Sequence, residues 1–242
     1  MTRFVILATP RCGSNWLCTL LDSHPQILCH HELFNPDGIY IAYSQRGMGW
    51  LPGDRQMQQD APLTLLSEAW KQSLGFAVVG FKLNLGQSAT VFDAVLNDTG
   101  IMKILISRRN RIRTFVSEKL AQISGAWESY PDSTHHSRPV PIHIEKKELV
   151  LHAQRNSRYY SRIRRHLFAS EQPALEIEYE SLADNQMQQR VLIFLGVDAD
   201  QTLEASTHKI NPGPLDQLIS NYADLRKQLA GSDFEQDFDE CA

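Results

Sequence analysis

Residues 9–16 read Thr-Pro-Arg-Cys-Gly-Ser-Asn-Trp and follow the apolar run of residues 4–8. A strand that turns tightly into a helix aims backbone N–H groups at one point, and the helix dipole adds positive potential there. With Arg11, Ser14 and Asn15 beside it, the turn is a candidate anion cradle whose contacts would be Arg11, Cys12, Gly13, Ser14, Asn15 and Trp16. It is not the G-x-x-x-x-G-K-[ST] loop of nucleoside triphosphate enzymes, because it has one Gly and no Lys. Nor is it the G-x-G-x-x-G of a dinucleotide fold, because Gly13 stands alone. Taken by itself, the turn reads equally well as a plain turn and helix cap.

A second segment repeats the order of strand, Arg and helix. Residues 101–106 are apolar, Ser107-Arg108-Arg109-Asn110 follow, and a helical stretch then carries Ser117. Ser117 lies two helical turns beyond Arg109 and can share a face with the residues that open the helix. An Arg fork and a hydroxyl converging on one oxyanion suit a phosphate monoester. The competing reading is a solvated basic patch of Arg108, Arg109, Arg111 and Arg113.

Together these motifs resemble the sulfotransferases that use 3'-phosphoadenosine-5'-phosphosulfate. In that family a Pro-Lys-Ser-Gly-Thr-Thr-Trp type of loop holds the 5'-phosphosulfate; here it stands as Pro10 to Trp16. The family binds the 3'-phosphate with an Arg and a Ser eight positions on, which Arg109 and Ser117 match. Its strand ending in Tyr-Glu, before a helix closing on Phe-Leu-Gly, is matched by Tyr179-Glu180 and by Phe194-Leu195-Gly196. The resemblance is nearer to bacterial carbohydrate sulfotransferases, of the kind that sulfate nodulation lipo-oligosaccharides or trehalose. Those carry an Arg in the loop, a Glu after the first helix (Glu32), a Gly-x-Lys strand end (Gly80 to Lys82) and a late Pro-Leu-Asp-Gln (Pro214 to Gln217). Cys12 and Asn15 depart from the family's smaller or hydroxylated loop residues.

The resemblance implies a P-loop-like fold, a phosphoadenosine donor as co-substrate, no metal, and a hydroxyl-bearing acceptor such as a carbohydrate or glycolipid. It assigns Trp16 and Tyr179 to the adenine side, and Lys209 and Gly213 to a late loop over the donor phosphates. Arg11 and Lys82 would bear the charge of transfer. Glu32 would be the base, with burial expected to raise its pKa toward neutrality. His31 and His30 are rivals, since His is the commonest base; strand alternation would turn His31 away from Glu32, leaving one of that pair in the cleft. A small-molecule kinase and a non-catalytic nucleotide- or glycan-binding module are the alternative functions.

Composition narrows the field. The chain has 242 residues, 42% hydrophobic and 21% charged, with net charge −4, so it is expected to be one globular domain spanning residues 1–242. An acidic chain without aromatic-basic interleaving argues against nucleic-acid binding. No apolar run reaches membrane-spanning length and no signal segment opens the chain, so a cytoplasmic protein is expected. Cys12, Cys18, Cys29 and Cys241 form no Cys-x-x-Cys pair and, with His30 and His31, match no zinc spacing. Cys12 in an anion loop could instead carry a lowered pKa and act as a nucleophile. No feature of the sequence fixes an oligomeric state.

The elements that must position these residues alternate. Strands are expected at residues 4–8, 76–81, 102–106 and 174–179, and a strand-like run at 27–29. Helices are expected at 15–22, 63–73, 89–97, 111–123, 145–168 and 187–195. Such alternation gives βαβ units: a three-layer α/β fold whose central parallel sheet is flanked by helices. Ligands in such sheets bind beyond the carboxyl ends of the strands, where the motifs above all fall. Residues 35–61 and 125–141 read as long loops, with Tyr40, Tyr43, Trp50, Trp127 and Tyr130 able either to stack on a sugar or to anchor the loops.

Overall fold

A computed structural model describes residues 1–130, 140–207 and 213–239. Strands β1 (Thr2–Ala8), β2 (Ile27–His30), β3 (Val78–Asn84), β4 (Ile101–Ser107) and β5 (Ala174–Glu178) form a parallel sheet in the order β2-β3-β1-β4-β5. The helices around it are α1 (Ser14–Asp22), α2 (Arg55–Asp60), α3 (Pro62–Lys71), α4 (Ala89–Asn97), α5 (Arg111–Ser124), α6 (Lys146–Ala169) and α7 (Asn185–Leu195). Two short helices, α8 (Leu215–Leu218) and α9 (Tyr222–Leu229), follow. Parallel neighbours require crossover connections, and helical crossovers cover both faces. The three-layer arrangement expected from the alternation is the one observed.

The sheet's side chains sort by strand period. Val5 and Leu7 of β1 join Val79, Phe81 and Leu83 of β3 beneath α3, α4 and α6. Phe4, Ile6 and Ala8 face the other way and pack with Leu17 and Leu21 of α1 and Val191 and Leu195 of α7. Burial on both faces explains why β1 reads as an unbroken apolar run. Gly80 of β3 is what lets the ring of Phe4 lie flat here, since a Cβ on it would come within 2.4 Å of Phe4 Cδ1. A third cluster lies off the sheet, where Ile112, Phe115 and Leu120 of α5 meet Leu215, Leu218, Leu225 and Leu229.

Element ends differ from expectation by a few residues, and two strand ends bear on the site. β3 runs on to Asn84 and β4 to Ser107, because the β1 ladder continues through Ala8↔Asn84 and the β5 ladder through Ser107↔Glu178. Lys82 therefore stands inside a strand rather than after it. Residues 35–61 are not all loop: Asp54 caps α2 by accepting from Met57 N at 2.8 Å, and Gln58 is buried against Leu33 O. The Arg-Gln-Met-Gln-Gln-Asp of α2 carries no apolar stripe, so periodicity could not reveal it. Among the described residues, no helix is long and apolar enough to cross a membrane.

Candidate active site

Tyr160 of α6 sets where the anion loop leaves the sheet. Its hydroxyl donates to Ile106 O at 2.5 Å and accepts from Thr9 N at 3.0 Å, linking the ends of β1 and β4. Two left-handed residues then turn the chain: Arg11 at φ 64° and Gly13 at φ 89°. A non-glycine in that region is strained by about 1–2 kcal/mol, so Arg11 is held there by its side-chain bonds and by the turn. Gly13 is the N-cap of α1 and has no side chain with which to bond the helix's first amides.

Gly13 is also required by packing. A Cβ there would lie 2.1 Å from Tyr179 Cδ2. Tyr179 meets Trp16 edge-on at 5.8 Å and carries the Arg108 guanidinium 4.5 Å above its ring. Trp16 and Tyr179, both assigned to the adenine side, are thus side by side at the loop. Cys12 is fully buried, and burial raises its thiol pKa. A raised, inaccessible thiol is no nucleophile, so that alternative falls.

The two basic motifs meet, through a different Arg from the one the spacing singled out. Arg11 Nε donates to Ser117 Oγ at 2.8 Å, and Arg11 Nη1 donates to Trp127 O at 2.5 Å. Arg109 is 63% exposed, with its Nε 3.2 Å from Glu178 at the end of β5 and 3.8 Å from Glu180 just beyond it, so it is engaged by glutamates and not by Ser117, which Arg11 bonds. Arg108, given no role by sequence, has a buried Nε without a hydrogen-bond partner among the described residues. Arg108, Arg109, Thr9, Thr114 and Tyr160 share the lining of one cavity of about 200 Å³.

Glu32 and Lys82 form the polar centre. Lys82 Nζ lies 2.6 Å from Glu32 Oε1 and also donates to Asn15 Oδ1. Glu32 accepts further from Asn84 at 3.0 Å, Asn35 at 2.6 Å and Gln87 at 2.5 Å. Burial by itself pushes Glu32 up, but the Lys82 charge and these bonds outweigh it and hold the carboxyl below its ordinary value. The expected rise toward neutrality does not occur in this arrangement. For Lys82, burial lowers the pKa, but Glu32 outweighs it and the net shift is upward.

β2 ends at His30, so strand alternation does not separate His31 from Glu32, and both enter the polar network. His31 Nδ1 lies 3.3 Å from Glu128 Oε1, and Tyr130 OH is 3.5 Å from His31 Nε2. Burial lowers the His31 pKa even against Glu128. His30 points elsewhere: its Nδ1 accepts from Ala42 N at 3.1 Å and its ring stacks on Trp50 at 5.4 Å. Burial takes His30 down to about 3, so it is a neutral packing group. Trp50 and the stacked pair Tyr43 and Tyr130 anchor loops, whereas Tyr40 (39%) and Trp127 (44%) are exposed. Gly213 O accepts from Arg113 Nη1 at 2.6 Å, which ties Gly213 to α5, while Lys209 lies outside the described residues.

The fold is similar to that of a solved sulfotransferase. A sulfotransferase from Alicyclobacillus acidocaldarius superposes with TM-score 0.54 at 21% identity, covering 98% of this chain and 92% of that one. In sequence, the chain is 27% identical to Nodulation protein H of Rhizobium tropici over 244 residues, which is 98% of this chain and 92% of the relative. Nodulation protein H of Rhizobium meliloti (strain 1021) is likewise 27% identical over 243 residues, 98% of this chain and 94% of the relative. No family model matches the chain. The resemblance first drawn from short motifs therefore extends from end to end of the chain.

Proposed function

We propose that the protein transfers the sulfuryl group of 3'-phosphoadenosine-5'-phosphosulfate to a hydroxyl of a carbohydrate or glycolipid. The observation that carries this reading is the Arg11–Ser117 bond. It joins the cradle after β1 to the middle of α5, whose basic start lies two turns away, so that one ligand with anionic groups at both ends can span the two. The full-length similarity to Nodulation protein H supports the carbohydrate class of acceptor.

In this reading Arg11 and the amides of residues 12–16 hold the leaving phosphate and the bridging oxygen. Arg109 exchanges its glutamates for the 3'-phosphate, with Arg108 as a second guanidinium on the same cavity. Lys82 reaches the sulfuryl oxygens, and Glu32 takes the proton of the acceptor hydroxyl. The acceptor oxygen forms a bond to sulfur as the bond from sulfur to the phosphate oxygen breaks, and adenosine 3',5'-bisphosphate leaves. Cations placed where charge develops act by position and field, as in phosphoryl transfer.

Lys82 couples the two roles. While it is bonded to Glu32 it lowers that carboxylate's basicity. Turning toward the sulfuryl group removes this effect, and burial then raises Glu32 toward a useful base. The exposed Tyr40 and Trp127 offer flat faces to a sugar. The test is a panel of hydroxyl acceptors incubated with isotope-labelled donor and read by mass spectrometry. One added sulfuryl group on a carbohydrate is expected; magnesium-dependent phosphate transfer from ATP would replace the reading with that of a kinase.

A further inference from the structure

Glu128 lies just beyond α5, in a segment whose sequence carries no motif. Its Oε1 accepts from Asn15 Nδ2 at 3.0 Å and its Oε2 from Arg46 Nη2 at 3.1 Å. Arg46 also donates to Tyr130 OH at 2.9 Å and sits 4.4 Å above that ring, which fixes it beside the carboxylate. One residue earlier, Trp127 O accepts from Arg11 Nη1. Two side-chain donors of the anion cradle, Arg11 and Asn15, are thus already engaged by acceptors from one short segment. Burial raises the Glu128 pKa, but His31, Lys82 and Arg46 outweigh it and hold the group well below the carboxylate range. At neutral pH the cradle's partner is an anion.

We propose that Glu128 is an internal competitor for the cradle: in the donor-free protein its carboxylate, with the Trp127 carbonyl, fills the positions that a ligand's anionic group must take. The proposal rests on the reading of residues 10–16 as the donor's anion site. Two anions on one side-chain amide repel, so an incoming sulfate or phosphate has to displace Glu128 from Asn15. Arg46 keeps hold of the displaced carboxylate. Glu128 thereby sets how tightly the protein binds its donor, with a sign opposite to that of a residue that merely supports the loop.

The test is Glu128→Gln in the full chain, whose amide oxygen still accepts from Asn15 while the charge is gone. Adenosine 3',5'-bisphosphate is titrated by calorimetry, and inorganic sulfate by thermal shift. Both should bind the variant about fivefold to fiftyfold more tightly than the parent, the range for removing one like charge at close approach in a partly dry site. Glu128→Ala should shift affinity in the same direction, which guards against a defect peculiar to the Gln side chain. Unchanged or weaker sulfate binding in both variants overturns the proposal, as does absence of sulfate binding to every form. Tighter sulfate binding with no bisphosphate binding to any form leaves the competitor standing and removes the nucleotide-donor reading.

Discussion

Glu32 has both oxygens engaged by Lys82, Asn84, Asn35 and Gln87, and Lys82 is almost fully buried. Breaking such a pair from the lysine side strands a buried anion. Lys82→Met should cost about 3–5 kcal/mol in urea unfolding, and the Glu32→Gln/Lys82→Met double variant distinctly less. The pair's pH window follows from the two shifts. Glu32 is depressed, so its contribution is present above the ordinary carboxylate pKa and is lost as pH falls through its lowered value. Lys82 is raised, so its contribution is present below the ordinary ammonium pKa and is lost as pH rises through its raised value. Parent and double variant should therefore differ most at neutral pH and converge in acid only as pH falls through the lowered value of Glu32. In catalysis, Glu32→Gln should bind adenosine 3',5'-bisphosphate like the parent and lose turnover. Full activity in that variant would move the base role to His31, which Glu128 orients.

At the scale of elements, the anion loop is shaped from two sides. Tyr160 of α6 holds its start, so Tyr160→Phe should lower stability by about 1–2 kcal/mol and weaken donor-product binding through a residue the cradle itself does not contain. Tyr179, just past β5, closes on Gly13 from the other side. Gly13→Ala should be destabilising by about 1–3 kcal/mol, from the left-handed backbone and from the contact with Tyr179, and Gly13→Ala/Tyr179→Ala should recover part of that loss. Calorimetric melting of the parent, Gly13→Ala, Tyr179→Ala and the double variant separates the two contributions. These elements differ in how openly the sequence declares them. β1 and β4 are legible because burial on both faces leaves continuous apolar runs, and the Pro-Arg-Cys-Gly-Ser turn between β1 and α1 is legible as an anion loop only beside the second Arg-bearing motif. The tail of β3 is concealed because Lys82 and Asn84 face the site and interrupt the apolar pattern. α2 is concealed because its stability comes from the Asp54 cap and the buried Gln58 amide rather than from an apolar stripe.

At the scale of the molecule, what the sequence withholds is long-range. Arg11, Lys82 and Glu32 are legible as charged groups next to strand ends in a parallel sheet, whose carboxyl edge collects them. Glu128 is not, because its contact with Asn15 spans 113 residues and depends on how the segment after α5 folds back. The pairing of Ser117 with Arg11, and of Arg109 with Glu178 and Glu180, depends likewise on side-chain rotamers that spacing along a helix does not determine. The net charge of −4 disguises a local concentration of arginine around the cavity beside Thr9 and Arg109. The central claim is that this basic edge binds a doubly phosphorylated adenosine. Its most direct measurement is the thermal shift produced by adenosine 3',5'-bisphosphate against that produced by AMP at equal concentration. The bisphosphate should raise the melting temperature by several degrees and AMP by far less, with Arg109→Ala erasing most of the difference. Equal shifts from the two nucleotides would contradict the account.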